Sequence, residues 1–324
     1  MQDSHGRTID YIRISITDRC NLRCLYCMPE KGIELCRHDD VLRYEEFVRL
    51  CRIFAKLGMK KVKITGGEAL VRKDAINLMK TIKNIDGIEQ VTLTTNGILL
   101  GDYLDELVQI GIDGINISLD SLDTEEFKRI TRVGDVEKVK ASLYKALQYS
   151  NLKLKINCVP FDGENQKLLD LVGLAKDNPL HVRFIEIMPI GEGKNFKFMQ
   201  EDTIKALIEE KYGALTPCTE KLGNGPSHYF SLQGFQGKIG FISAISHKFC
   251  HECNRIRLTC TGYLKICLQY EIGVDLRKLI RQGASDSMLE AAIMQAVMKK
   301  PLEHSFLQKD IAFEEQAKMA SIGG

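Results

Sequence analysis

Six short runs rich in β-branched residues, YIRISI (11–16), KVKIT (61–65), QVTLTT (90–95), GINISL (114–119), LKINCV (154–159) and HVRFIEI (181–187), are separated by amphipathic stretches. In one of these stretches, RYEEFVRLCRIFAKLG (43–58), Tyr44, Phe47, Val48, Cys51 and Phe54 share a helical face and Gly58 supplies a stop. Strand, helix and strand in repeated order predict right-handed βαβ units and a parallel sheet. An open doubly wound sheet and a partial barrel both accommodate this order, and in either one chemistry collects at the carboxyl ends of the strands. Those ends carry a cysteine-rich loop, TGGEAL (65–70), TTNG (94–97), SLDSLD (118–123), Asn157, and Glu186 with Met188.

The pattern changes after about residue 190, which divides the chain into expected domains of 1–190 and 191–324. GEGKNFKF (191–198) reads as a loop, and a helix is expected over 201–211. SHYFSLQGFQGKIGFISAIS (227–246) alternates between glycines as antiparallel strands do. RIRLTCTGYLKICL (255–268) predicts a hairpin turning near Thr261-Gly262, and a capped helix is expected from Ser285-Asp286 to Pro301.

Charge excludes a broad nucleic-acid surface, because 45 Lys+Arg face 43 Asp+Glu. No run of 18 apolar residues occurs, and MQDSHGRTIDYIRIS lacks the apolar core of a secretory signal, so a soluble cytoplasmic protein without membrane or nucleic-acid partners is expected. In a reducing compartment the eleven cysteines are not a disulfide framework. Cys36, Cys51, Cys158, Cys218 and Cys260 are scattered and are expected to be small buried or half-exposed thiols.

The remaining six cysteines fall into two trios with ligand-like spacing, Cys20/Cys24/Cys27 and Cys250/Cys253/Cys267. Thiolates spaced C-x3-C-x2-C suit an iron-sulfur cluster or zinc. A closed zinc site wants a fourth ligand, and the nearest histidine, His38, is eleven residues past Cys27. Three thiolates on a cubane cluster instead leave one iron open to a small molecule. Arg13, Lys63 and Lys155 occupy alternating polar positions on the first, second and fifth strands, where they would point into a barrel. Inward cations are costly until an anion, such as a triphosphate, joins them.

ITDRCNLRCLYCMP, with Tyr26 before the last cysteine, and TGGEALVR after the second strand resemble the radical S-adenosylmethionine (SAM) superfamily. Adding TTNG, RFIEIMPIGEG, FCHECNRIRLTCTGYLKICL and the final Ser-Ile-Gly-Gly, the chain from about residue 8 onward is similar to the GTP 3′,8-cyclase family of molybdenum-cofactor biosynthesis. The resemblance implies a partial (β/α)6 barrel closed by a C-terminal α+β extension. It implies two [4Fe-4S] clusters, one on Cys20, Cys24 and Cys27 and one on Cys250, Cys253 and Cys267. SAM would be contacted by Tyr26, Gly67, Ser118 and Met188, and GTP by Arg13, Lys63, Thr94, Lys155, Arg255, Ile256 and Arg257. Gly323 and Gly324 match a terminal pair thought to enter the family's catalytic site. The implied reaction takes hydrogen from C3′ of GTP and joins that carbon to C8 of guanine.

The implied partners are an electron donor and a downstream cyclic pyranopterin synthase, and the implied assembly is a monomer or homodimer. Two departures stand out: Ala69 where a proline is usual, and Lys63 where some relatives carry arginine. Two other readings share some of these features. A two-cluster radical SAM enzyme acting on a peptide would carry more cysteines in a longer extension, and a zinc-binding recognition module would hold zinc in the second trio.

Overall fold

The computed structural model describes residues 1–161, 166–220, 222–306, 308, 315 and 317–323. In chain order the elements are β1 (Tyr11–Ser15), α1 (Tyr44–Lys56), β2 (Lys61–Thr65), α2 (Ala75–Lys83), β3 (Gln90–Thr95), α3 (Leu100–Gln109) and β4 (Gly114–Ser118). They continue with α4 (Thr124–Thr131), α5 (Val136–Leu147), β5 (Leu154–Cys158), α6 (Leu168–Asp177), β6 (His181–Ile185), α7 (Glu201–Tyr212), β7 (Thr216–Cys218), β8 (His228–Ser231) and β9 (Ile239–Ile242). The last are β10 (Arg255–Leu258), β11 (Tyr263–Lys265), β12 (Gly273–Asp275), α8 (Leu276–Arg281), α9 (Asp286–Met298) and α10 (Met319–Ile322). All six strands expected in the first part form, each within a residue or two of its expected ends.

Two compact units divide these elements. The first comprises Met1–Asn21, Lys31–Leu93 and Cys250–Gly324, and the second Leu22–Glu30 and Thr94–Phe249. In the first unit the strands run β12-β11-β10-β1-β2-β3. β1 pairs in parallel with both β10 and β2, whereas β11 pairs antiparallel with both β10 and β12. In the second unit the order is β4-β5-β6-β9-β8-β7, with β4, β5, β6 and β9 parallel and β7 and β8 antiparallel additions.

β-Branched side chains fill the sheet cores: Ile12, Ile14, Val62 and Ile64 in the first unit, Ile115, Ile117, Ile156 and Val182 in the second, none more than 1% exposed. Alternation leaves Arg13 the one half-exposed position of β1. Helix α1 buries Phe47, Leu50, Cys51, Ile53 and Phe54. The apolar stripe is therefore rotated from the expected one, with Tyr44 and Val48 at its margin. The hairpin turns at Gly262, whose φ of +80° is a left-handed conformation that glycine adopts without strain. Ser285 caps α9 by accepting from the Met288 amide at 3.3 Å. Among the described residues no helix is long and apolar enough to cross a membrane.

Candidate functional site

In the first unit, register sets three cations abreast. Arg13 on β1 lies opposite Arg257 on β10 and Lys63 on β2, and residues paired across adjacent strands project to the same side. Burial, with Arg13 and Arg255 nearby, holds the Arg257 guanidinium far below its ordinary pKa. Such a row favours an anion in front of it. Ile256 lies between the two arginines of β10 but pairs with Ile12 and is 1% exposed, so its side chain belongs to the core. Arg257 Nη1 donates to the Gly323 carbonyl at 2.6 Å. Gly323 has φ of +79°, and a Cβ there would stand 3.0 Å from Ser15 Cβ. Upstream, Glu315 forms a buried ion pair with Lys265. Gly324 lies outside the described residues.

The same unit holds Cys20, Cys250, Cys253 and Cys267. The backbone closes a turn with the Cys253 amide on the Cys250 carbonyl at 3.2 Å. Burial raises the Cys250 thiol, and the charges of Cys267 and Cys253 add to that, which puts the three thiols within electrostatic reach of one another. Burial also pushes Cys253 up, but the Lys300 ammonium and Arg255 guanidinium outweigh it and bring the thiol down to about 7. Lys300 is 3% exposed and donates to the carbonyls of Arg255 and Ile266 at 2.9 and 2.5 Å. Among the described residues no group of three or more His, Cys, Asp or Glu closes on a single metal ion. A thiolate set with a buried cation behind it nevertheless fits an anionic multi-iron cluster.

The glycines of TGGEAL have a packing role that the sequence reading missed. The Gly67 amide donates to the Thr17 carbonyl at 2.7 Å and the Glu68 amide to the Arg19 carbonyl at 2.8 Å. A Cβ at Gly66 would meet the Thr17 carbonyl at 2.8 Å, and one at Gly67 would run into the Arg19 carbonyl. The turn is thus strapped directly against the chain entering Cys20.

In the second unit, the loop carrying Cys24, Tyr26 and Cys27 is pinned to the end of α4. The Arg23 and Leu25 amides donate to the Thr131 and Ile130 carbonyls, both at 3.0 Å. Arg132 Nη1 reaches the Arg23 and Met28 carbonyls at 2.8 and 3.0 Å. The Cys27 amide turns back to the Cys24 carbonyl at 3.0 Å. Tyr26 donates its hydroxyl to Asp120, in SLDSLD, at 2.7 Å. Two thiols on a loop anchored at both ends, with a backbone turn between them, fit the wrapping that a cluster requires.

One face of this unit's sheet carries a polar set of its own. Asn116 is opposite Lys155, Ser118 opposite Asn157, Lys155 opposite His181, and Asn157 opposite Arg183. The Asn116 amide donates to the Thr94 hydroxyl at 3.5 Å. Burial, then the neighbouring Arg183 and Lys153, lowers the Lys155 ammonium to about 7, and Lys155 donates to the Leu222 carbonyl. Arg183 was not anticipated. It is 8% exposed and donates from Nη2 to Asn157 Oδ1. The signal that marked Lys155, a cation at an inward strand position, was present in HVRFIEI as well. Met188, half-buried after β6, accepts from the Ile190 amide through its carbonyl at 2.7 Å.

Comparison with known proteins follows the same lines. The Radical SAM superfamily profile matches residues 14–175. The Molybdenum Cofactor Synthesis C profile matches residues 180–306. The GTP 3′,8-cyclase of Clostridium perfringens (strain 13 / Type A) is 46% identical over 325 residues, covering 100% of both chains. That of Syntrophomonas wolfei is 46% identical over 328 residues at the same coverage. Among solved structures, Streptococcus suis SuiB bound to S-adenosylmethionine aligns with a TM-score of 0.62 at 13% identity, over 90% of this chain and 68% of that one. The likeness to SuiB concerns the fold, and the α/β class expected from the sequence is the one found.

Proposed function

The chain belongs to the radical SAM superfamily and, over its whole length, to the GTP 3′,8-cyclases within it; from that membership we propose how its own residues serve the cyclisation of GTP that begins molybdenum-cofactor synthesis. The observation that carries the reading is full-length identity of 46% to such cyclases, joined to two cysteine trios and two sets of inward cations. Cys20, Cys24 and Cys27 would hold the cluster that serves SAM, and Cys250, Cys253 and Cys267 a second cluster. When bound, these groups supply the one-electron chemistry that takes a hydrogen atom from C3′ of GTP.

The chain's part is to bind, orient and exclude water. Arg257, Arg13 and Lys63 form a row of positive charge in the first unit that suits the oxygens of a triphosphate and ribose, and the second unit carries its own set in Lys155 and Thr94. The guanidinium of Arg255 beside Cys253 serves two ends, lowering the thiol and contacting the nucleotide. Ile256 contributes only through its backbone, because its side chain is in the core. Tyr26, Gly67, Ser118 and Met188 form the SAM contacts. For Gly67 the support is indirect, since its lack of a side chain is already used against Arg19. Gly323, hydrogen-bonded to Arg257, belongs to the nucleotide site, and Gly324 is assigned to it by family membership alone. An electron donor, a cyclic pyranopterin synthase taking the product, a cytoplasmic setting and a monomer or homodimer complete the reading.

Anaerobic incubation of the reconstituted chain with SAM, a reductant and GTP tests it. A cyclised isomer of GTP should appear together with 5′-deoxyadenosine. Deoxyadenosine with GTP left intact would keep the superfamily chemistry and remove the substrate.

A further inference from the structure

On the face of the second unit that carries Lys155 and Arg183, Tyr229 is a polar residue to which nothing above gives a role. Pairing of β8 with β9 sets Tyr229 opposite Gly240, and pairing of β9 with β6 sets Gly240 opposite Arg183. Residues paired across strands project to one side, so Tyr229 and Arg183 flank a position that contributes no side chain. The tyrosine ring occupies that room: a Cβ on Gly240 would stand 2.7 Å from Tyr229 Cε1. The ring centroid lies 5.6 Å from that of His181 and 5.6 Å from Lys155 Nζ.

Tyr229 is 4% exposed, and its hydroxyl has no hydrogen-bond partner among the described residues. Arg183 Nε, on the same face, is likewise buried without an acceptor among the described residues. A buried tyrosine normally places its hydroxyl on a partner, and an orphaned donor costs free energy. Two such donors beside an ammonium form the complement of a ligand rich in anionic oxygens.

We propose that the Tyr229 hydroxyl, together with Arg183 Nε, donates to phosphoryl oxygens of the nucleotide substrate, making Tyr229 a binding residue supplied by the segment after residue 180. This deepens the function proposed above and rests on it.

The experiment compares GTP and guanosine binding by calorimetry to the anaerobically reconstituted full chain and to its Tyr229→Phe variant. Phenylalanine keeps the ring and removes only the hydroxyl, which has no partner to lose among the described residues, so thermal stability without nucleotide should be unchanged or slightly higher. GTP affinity should fall about tenfold, guanosine affinity should be unaffected, and KM for GTP should rise with kcat nearly constant. Equal GTP affinity in the two proteins, or an equal loss for guanosine, would overturn the assignment. If the wild-type chain binds no GTP, the functional reading itself fails and the inference falls with it.

Discussion

Tyr26 and Asp120 are joined by a hydrogen bond of 2.7 Å that ties the residue before Cys27 to the segment following β4. The other carboxylate oxygen of Asp120 accepts from the Val159 amide at 2.8 Å, so one buried carboxylate links the cysteine loop to the end of β5. Burial raises Asp120 from 3.8 to about 6, against the pull of these two hydrogen bonds. The folded state therefore keeps a proton that the unfolded state releases. Its stabilisation is full below 3.8 and is lost as pH rises through about 6. Denaturant unfolding of Asp120→Asn over that range should lack this slope, and a variant that tracks the wild type at every pH would contradict the assignment. Tyr26→Phe should cost roughly 1–3 kcal/mol at neutral pH.

Lys155 gives a prediction of opposite form. Its ammonium is lowered to about 7 from 10.5, so a sizeable fraction is neutral above neutral pH in the nucleotide-free protein. A triphosphate beside it restores the charged form. Binding of GTP near pH 8.5 should take up close to one proton, and uptake should fade below about pH 6.5. Calorimetry in buffers of different ionisation enthalpy reads this directly; Lys155→Met should abolish the uptake.

The contact between Arg257 and Gly323 positions the end of the chain. Gly323→Ala places a Cβ at φ +79° and 3.0 Å from Ser15 Cβ, a strain of about 1–2 kcal/mol. Hydrogen exchange at residues 319–323 should accelerate about tenfold, with the core strands unaffected. Arg257→Ala should do the same for the tail and also weaken GTP binding.

Thiol chemistry should separate the two classes of cysteine. In the cluster-free chain Cys253, at about 7, is largely available as thiolate at pH 7.5. Cys36 is pushed up to about 11 and Cys51 and Cys260 to about 12, with burial the leading cause for each. Iodoacetamide followed by peptide mass analysis should label Cys253 well before these three. Early labelling of Cys51 would contradict its burial in α1.

Much of this organisation was legible in the sequence because it is local. Strand periodicity located β1 to β6, and cysteine spacing marked both trios. Polar positions within strands marked Arg13, Lys63 and Lys155. What escaped was long-range register. Nothing in RIRL says that it lies parallel to YIRI, yet that pairing is what brings Arg257 beside Arg13. The alternation of 227–246 gave antiparallel strands, but not their parallel seat against β6, so nothing in the sequence placed Tyr229 on the face of Arg183. The family resemblance assigned Gly67 to SAM, whereas contact with residues 17–19 already requires a glycine there. Arg183 was missed for want of a neighbour in sequence; its neighbour, Lys155, is one strand away.

The most direct test of the account uses GTP deuterated at C3′, incubated anaerobically with the reconstituted chain, SAM and reductant. Deuterium should pass to 5′-deoxyadenosine as the cyclised nucleotide forms. Deoxyadenosine free of deuterium, with the labelled GTP recovered unchanged, would contradict it.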